Sequence, residues 1–253
     1  MDDTISKIQW LHKLRKAEIE QIIKFFPSDK NSKILEVGGG DGFQAKIVAE
    51  LGYEVTSIDT NPKLPNYHEV LKANISLIDY QSETFDVIFS SHVLPHIKNL
   101  DCAFIEMKRV LRKDGIIIHI VPTSWWSLVT NFWHYILIPK KMWIIIKSDK
   151  GKSNKNNSNE SQNNSRKKST KLINYLLLHP LGENPSFLHE FFYFSDKYWQ
   201  ELFKKNGFVI KQKGNCPLLY SGYGVFKMKL QNLRKTLANY SVTSSRYYIT
   251  NKS

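Results

Sequence analysis

Cysteine is scarce: Cys102 and Cys216 are the only two in 253 residues. Two thiols cannot build a disulfide framework or a zinc site by themselves, so stapled and zinc-bound folds are excluded and a reduced, cytosolic protein is expected. Acid is outnumbered, with 23 Asp and Glu against 36 Lys and Arg, a formal net charge of +13. Neither zinc-finger spacing nor an RNA-binding signature accompanies this excess, part of which lies in Lys147 to Lys171 and part after Lys227. Such tracts read as solvated surface first, as attraction to an anionic membrane or phosphorylated substrate second, and as nucleic-acid binding last. Met1-Asp2-Asp3 is followed by no apolar core, so no secretory signal is expected. Gly115 to Pro139 carries no Asp, Glu, Lys or Arg. Its first part is better used as a buried strand, and Trp125 to Ile138 is then shorter than the roughly 20 residues of a membrane span.

What is present suits one sizeable domain, with 42% hydrophobic and 13% aromatic residues. Ile8, Leu11, Ile19, Ile22, Ile23 and Phe26 give a helical pattern ended by Pro27-Ser28-Asp29. Ile34-Leu35 and Val37 then form a strand broken by glycines, and Phe43 to Leu51 reads as a helix. Strands are predicted at Glu54 to Ile58, Val70-Leu71, Phe85 to Ser90 and Ile116 to Val121, with a helix over Asp101 to Leu111. Ser195 to Asn206 reads as a helix capped by Ser195, followed by an antiparallel pair, Phe208 to Gln212 and Gly224 to Leu230. Strands alternating with helices imply a doubly wound α/β, Rossmann-like fold. The expected division is 1–31 helical, 32–121 cofactor-binding, 122–146 an aromatic insert, 147–171 a disordered basic loop, 172–230 the rest of the domain and 231–253 a tail, mobile over Ser241 to Ser253.

A strand entering a helix through glycines brings backbone N–H groups close to a nucleotide-like cofactor. Gly40-Asp41-Gly42-Phe43-Gln44-Ala45 fits the dinucleotide fingerprint, with Asp59 near the distance for a ribose, so NAD is one reading. Glu36 favours another: a carboxylate beside the turn suits a cofactor with a cationic amino group and repels a pyrophosphate.

Glu36-Val37-Gly38-Gly39-Gly40-Asp41-Gly42, Asp59, Asn74-Ile75, Phe85-Asp86-Val87-Ile88, Ser90 to Ile97 and Arg109 to Gly115 together resemble the class I S-adenosylmethionine-dependent methyltransferases, in the family's order. The resemblance covers roughly Ser32 to Val121 and Ser195 to Leu230. It departs mildly at Asn74, where Asp is commoner, and at Asp114, where Gly or Pro is usual. It implies a seven-stranded, mostly parallel sheet with a C-terminal antiparallel hairpin, and S-adenosylmethionine as cofactor. The implied cofactor contacts are Glu36, Gly38, Gly39, Gly40 and Gly42 for the methionine part, and Asp59 with Thr60 for the ribose. Asn74 and Ile75 would meet the adenine, with Ser90 and Ser91 nearby.

Methyl transfer is an in-line displacement that needs alignment, and a base only where the acceptor must lose a proton. His96, and after it His92, in the loop after the fourth strand, is the candidate base, although packing within that loop is the plainer reading of His96. His92, Trp125, His189 and Tyr193 are candidate acceptor contacts, and no metal is expected. The aromatic insert reads either as a lid or as an interfacial helix placing Trp and Tyr at headgroup depth, with Lys140 and Lys141 on anionic lipid. The function expected is methylation of a small, apolar or lipid-linked acceptor, in the cytoplasm or peripherally at a membrane. An NAD-dependent oxidoreductase and an inactive cofactor-binding scaffold are the alternatives.

Overall fold

Strands β1 (Lys33–Val37), β4 (Phe85–Ser91) and β5 (Leu111–Pro122) are apolar at successive positions, so both of their faces need cover. The computed structural model describes residues 2–150, 187–222, 224 and 229–252, with side chains from residue 8 to 137 and from residue 189 onward. Alternate side chains leave opposite faces of the sheet and build one core on each. Ile34, Val87, Phe89, Ile118 and Ile120 meet Ile19, Ile22 and Phe26 of the N-terminal segment and Val48 of helix α2 (Phe43–Glu50). Leu35, Ile88 and Ile117 meet Phe104 and Met107 of α3 (Leu100–Val110) on the other side.

Seven strands lie in the order β3-β2-β1-β4-β5-β7-β6, with β2 at Glu54–Asp59, β3 at Leu71–Lys72, β6 at Phe208–Asn215 and β7 at Ser245–Lys252. Strands β1 to β5 are parallel, and β7 runs antiparallel to both β5 and β6. This is the expected fold class. Helix α1 spans Asp2–Ile22 and is continued by a 3-10 turn, Ile23–Phe25. The cap expected at Ser195 is present: its Oγ accepts from Tyr198 N at 3.2 Å, opening helix α6 at Asp196–Lys205.

The C-terminal segment differs from expectation. Residues 225–228 of the predicted last strand lie outside the described residues, and Leu230, at φ +54°, begins a helix, α7 (Gln231–Asn239), instead. The predicted tail supplies that helix, and its end, predicted mobile over Ser241 to Ser253, supplies β7. Ser245 to Thr250 are nearly all buried, with Tyr247 and Ile249 in one core and Tyr248 in the other. The strand was hidden because its polar residues are satisfied inside: Thr250 Oγ1 donates to Ile117 O at 3.3 Å, and Tyr248 OH donates to Asp196 Oδ1 at 2.6 Å.

The aromatic insert forms helix α4 (Ser124–Lys150), followed by α5 (Phe187–Tyr193) beyond the undescribed stretch. Helix α4 covers the start of the tract predicted as a disordered basic loop; residues 151–171 of that loop lie outside the described residues. The described part of α4 is polar inside and apolar outside. Ser127, Thr130, Asn131 and His134 are buried, whereas Trp125, Leu128, Phe132, Tyr135 and Ile136 are exposed at helical spacing. Ser127 Oγ donates to Glu190 Oε1 of α5 at 2.5 Å, and Thr130 Oγ1 accepts from Gly222 N at 2.9 Å. Among the described residues no helix is long and apolar enough to cross a membrane.

Tyr248 is fully buried against Phe203, ring centroids 5.3 Å apart, and its hydroxyl joins Lys213 and Arg246 on Asp196. Tyr248→Ala is expected to lower the unfolding free energy by about 3–5 kcal/mol, as for other large core aromatics. Tyr248→Phe, which loses only the hydrogen bond, should cost about 1–2 kcal/mol. Urea melts of both variants check this ordering.

Candidate functional site

Because β2 and β4 flank β1 on opposite sides, the chain changes winding direction beside β1, and a crevice opens at the C-terminal ends of these strands. A cavity of about 1110 Å³ lies there, lined by Gly38, Gly39 and Gly40 after β1, Asp59 and Thr60 at the end of β2, and Ser91, His92 and Val93 at the end of β4. Asn74, Ile75 and His96 also line it.

The glycine turn is held from below. Gly40, at φ +59°, donates its N–H to Asp59 Oδ2 at 2.9 Å and accepts from Lys63 N at 2.8 Å, and a Cβ on it would project into open space. Asp59 Oδ1 accepts from Asn61 N at 2.8 Å, and each carboxylate oxygen keeps capacity for a further donor. Glu36 is buried beneath the turn rather than lining the cavity, and it accepts from Ser57 Oγ at 2.5 Å. Its oxygen lies so close to Gly39 that a Cβ there would stand 2.7 Å away. Burial pushes the Glu36 carboxyl up to about 7; the Ser57 hydrogen bond opposes this, while Asp41 and Asp59 add to it.

Several predicted residues stand elsewhere. Gly42, at φ +75°, does not line the cavity; it precedes α2, where a Cβ would strike the backbone of His68. Ser90 is fully buried and bonded to His119 Nδ1 at 2.8 Å. Trp125 is exposed on the outer face of α4, and Trp126 lines the cavity in its place. His189 and Tyr193 stack on each other at 5.8 Å, away from the cavity lining.

Sequence reading missed the opposite wall. Trp10, His12, Leu14 and Arg15 of α1 line the cavity, together with Tyr220 and Ser221 from the segment before α7. His12 Nε2 lies 2.7 Å from Asp41 Oδ2, and its ring stacks on Phe43 at 4.1 Å and 5°. Trp10 and Leu14 form a small core with Leu218 and Tyr220, against which Trp126 packs. The i, i+4 spacing of Trp10 and Leu14 was the available signal, a second apolar stripe beside the one carried by Ile19 and Ile22.

Glu18 anchors this wall. It is fully buried; its Oε2 accepts from Arg15 Nη1 at 2.5 Å, and its Oε1 from His92 Nε2, Tyr220 OH and Ser245 Oγ at 3.0, 3.1 and 2.6 Å. Burial alone would raise its carboxyl, but Arg15, His92 and the donated hydrogen bonds hold it well below the usual carboxylate range.

Residues 35–119 match the family model described as "Methyltransferase domain". A ubiquinone biosynthesis O-methyltransferase of Pelagibacter ubique is 31% identical over 136 residues, 45% of this chain and 56% of that protein. A malonyl-[acyl-carrier protein] O-methyltransferase of Serratia marcescens is 26% identical over 106 residues, 39% of this chain and 42% of that protein. The chain thus spans about half the length of the curated relatives it matches. A crystal structure of an S-adenosylmethionine-dependent methyltransferase from Aquifex aeolicus shares the fold, with a TM-score of 0.54 at 14% identity, covering 97% of this chain and 96% of that one. Residues 35–119 therefore match a methyltransferase domain, and the chain shares its fold with S-adenosylmethionine-dependent methyltransferases. The dinucleotide reading is not favoured. The residues present fit S-adenosylmethionine: the open space over Gly40 is one sign. The second is that Ser91 Oγ and Ser221 Oγ, both on cavity-lining residues, are buried without a partner among the described residues.

Glu36 gives this site a pH signature. At pH 7 a carboxyl titrating near 7 is about half protonated, and a cationic ammonium bound in the cavity near Gly39 would favour its ionised form. Binding of S-adenosylhomocysteine is therefore expected to release a fraction of a proton near pH 7 and to strengthen from pH 6 to pH 8. Calorimetry in buffers of different ionisation enthalpy measures the release, which Glu36→Gln should abolish.

Proposed function

We propose that the protein is an O-methyltransferase that carries a methyl group from S-adenosylmethionine to the hydroxyl of a small, apolar or lipid-linked acceptor at a membrane surface. The observation that carries this reading is one cavity shared by the glycine turn of a methyltransferase domain and an aromatic wall built by Trp10, Trp126 and Tyr220. The two named relatives are O-methyltransferases, which favours oxygen as the acceptor atom. When bound, the cofactor supplies an electrophilic methyl group on a sulfonium. In this reading Asp59 takes the ribose hydroxyls, Asn74 and Ile75 flank the adenine, and the Gly38–Gly40 backbone takes the methionine part above Glu36. Trp10 and Trp126 exclude water and hold the apolar acceptor in line, and alignment supplies much of the rate.

S-adenosylhomocysteine is expected to bind in calorimetry while NAD does not, and Asp59→Ala should weaken binding about 10- to 100-fold through loss of charge-assisted hydrogen bonds. A labelled-methyl screen over lipid, glycan, protein and RNA extracts should place label in the lipid fraction. Binding of NAD, or label in RNA alone, would overturn the reading.

The membrane part rests on the inverted helix α4. Its outer face presents Trp125, Leu128, Phe132, Tyr135 and Ile136 to solvent, and Lys140 and Lys141 follow in a chain of net charge +13. An anionic bilayer complements both features, with the aromatics at headgroup depth and the excess of positive charge drawn to lipid phosphates. Vesicles containing phosphatidylglycerol are expected to co-sediment the protein at low salt, and neutral vesicles much less. Leu128→Ser with Phe132→Ser should cut binding at least about tenfold, since each buried apolar side chain contributes about 1.5–3 kcal/mol. Indifference to anionic vesicles, or self-association through this face in sedimentation velocity, defeats the membrane part.

A further inference from the structure

Where α1 meets the C-terminal end of β4, an imidazole on the cavity wall is bound to a fully buried carboxylate: His92 Nε2 stands 3.0 Å from Glu18 Oε1. Glu18, paired with Arg15, is ionised and can only accept. The proton between the two groups therefore resides on Nε2, and Nδ1 carries the lone pair. Nδ1 has no protein partner among the described residues, and the ring lines the cavity. His92 also holds φ at +58°, a left-handed conformation that a non-glycine residue adopts at a cost of about 1–3 kcal/mol and that clusters at functional positions.

We propose that His92 is the base that takes the proton of the acceptor hydroxyl, with Glu18 the positioning residue that fixes its tautomer; this rests on the methyl-transfer reading above. In the step the acceptor O–H bond breaks and its proton passes to Nδ1; the electron pair left on oxygen forms the bond to the methyl carbon as the methyl–sulfur bond breaks, that pair leaving on the sulfur of S-adenosylhomocysteine. The imidazolium so formed faces the Glu18 carboxylate across Nε2–H, the arrangement by which a buried acid orients a histidine base. Glu18 itself accepts from every neighbouring donor and is too weakly basic. Tyr220, whose hydroxyl donates to Glu18, is held protonated by burial and by that carboxylate.

The charged and titratable groups around His92 are Arg15 and Glu18 of α1, Tyr220 opposite, and His96 on its own turn. Burial first, then Arg15, lower its pKa against the pull of Glu18, so the ring is neutral and able to accept a proton at pH 7. His96, preferred from the sequence, is exposed on the turn Leu94–His96. The His12–Asp41 pair has a similar form but stacks on Phe43, the first residue of α2.

The test uses the full chain labelled with 15N-histidine and assigns His92 from the signal lost in His92→Gln. Long-range proton–nitrogen correlation is expected to show a neutral ring protonated at Nε2 from pH 6.5 to 8, and a mixture of tautomers in Glu18→Gln. A wild-type ring protonated at Nδ1 overturns the proposal. With labelled S-adenosylmethionine and the organic extract of cells as the acceptor probe, His92→Gln should lose at least about 100-fold in transfer. Its affinity for S-adenosylhomocysteine should stay within threefold. Transfer retained within threefold by His92→Gln, or lost only in His12→Gln, also overturns it. Failure of the wild type to bind S-adenosylhomocysteine would instead bring down the underlying reading, whereas binding together with an Nδ1–H tautomer defeats this proposal alone.

Discussion

The Glu18 carboxylate is the constraint on which the arrangement of this molecule turns. A buried ionised carboxylate is tolerated only when its charge and lone pairs are matched, and removal of one partner from such a pair typically costs about 3–5 kcal/mol. Here the matching groups come from four separate places: Arg15 one turn before it on α1, His92 after β4, Tyr220 before α7 and Ser245 at the start of β7. Each group is obliged to stay because Glu18 is there. The carboxylate therefore fixes α1 against the open end of the sheet and ties the C-terminal strand to the N-terminal helix.

That fixation decides what the cavity is. The parallel strands and the glycine turn would by themselves leave an open crevice at the switch point, as any doubly wound sheet does. Helix α1 closes it, adding Trp10, Leu14 and Arg15 as a wall, while His12 reaches across to Asp41 on the glycine turn. Helix α1 thus belongs to the site as much as to the core: Ile19 and Ile22 pack on the sheet, and the preceding turns face the cavity. One helix carries two apolar stripes because its C-terminal half is covered by strands and its N-terminal half by ligand space.

The sequence disclosed the parts governed by local rules. Strand, glycine turn and helix from Lys33 to Glu50 were legible because periodicity and glycine chemistry act over a few residues. The cap at Ser195 and the acid at Asp59 followed from the same short-range logic. Three things were not legible. Strand β7 mixes Ser, Arg, Thr and Asn with its tyrosines, and only a partner on each side makes those polar groups tolerable in a core. Trp125 and Trp126 are interchangeable in composition, and only the phase of α4 sends one outward and the other into the cavity. Glu18 looked like one more charge on an exposed helix, since its four donors are up to 227 residues away in the chain.

The phase of α4 has a further consequence for how recognition divides along one helix. A helix that hid its aromatic residues would need no polar interior, yet α4 turns Ser127, Thr130 and Asn131 inward, where Ser127 Oγ bonds Glu190, Thr130 Oγ1 bonds Gly222 N and Asn131 Nδ2 bonds the Ser127 carbonyl. Those bonds fix the rotation of the helix more sharply than apolar packing does, because a turned helix would bury unpaired hydroxyls and expose the cavity face of Trp126. The same rotation sets the outward stripe from Trp125 to Ile136. The cavity wall and the outer aromatic face are consequently two sides of a single orientation, and a substitution that rotates α4 to change one must also change the other.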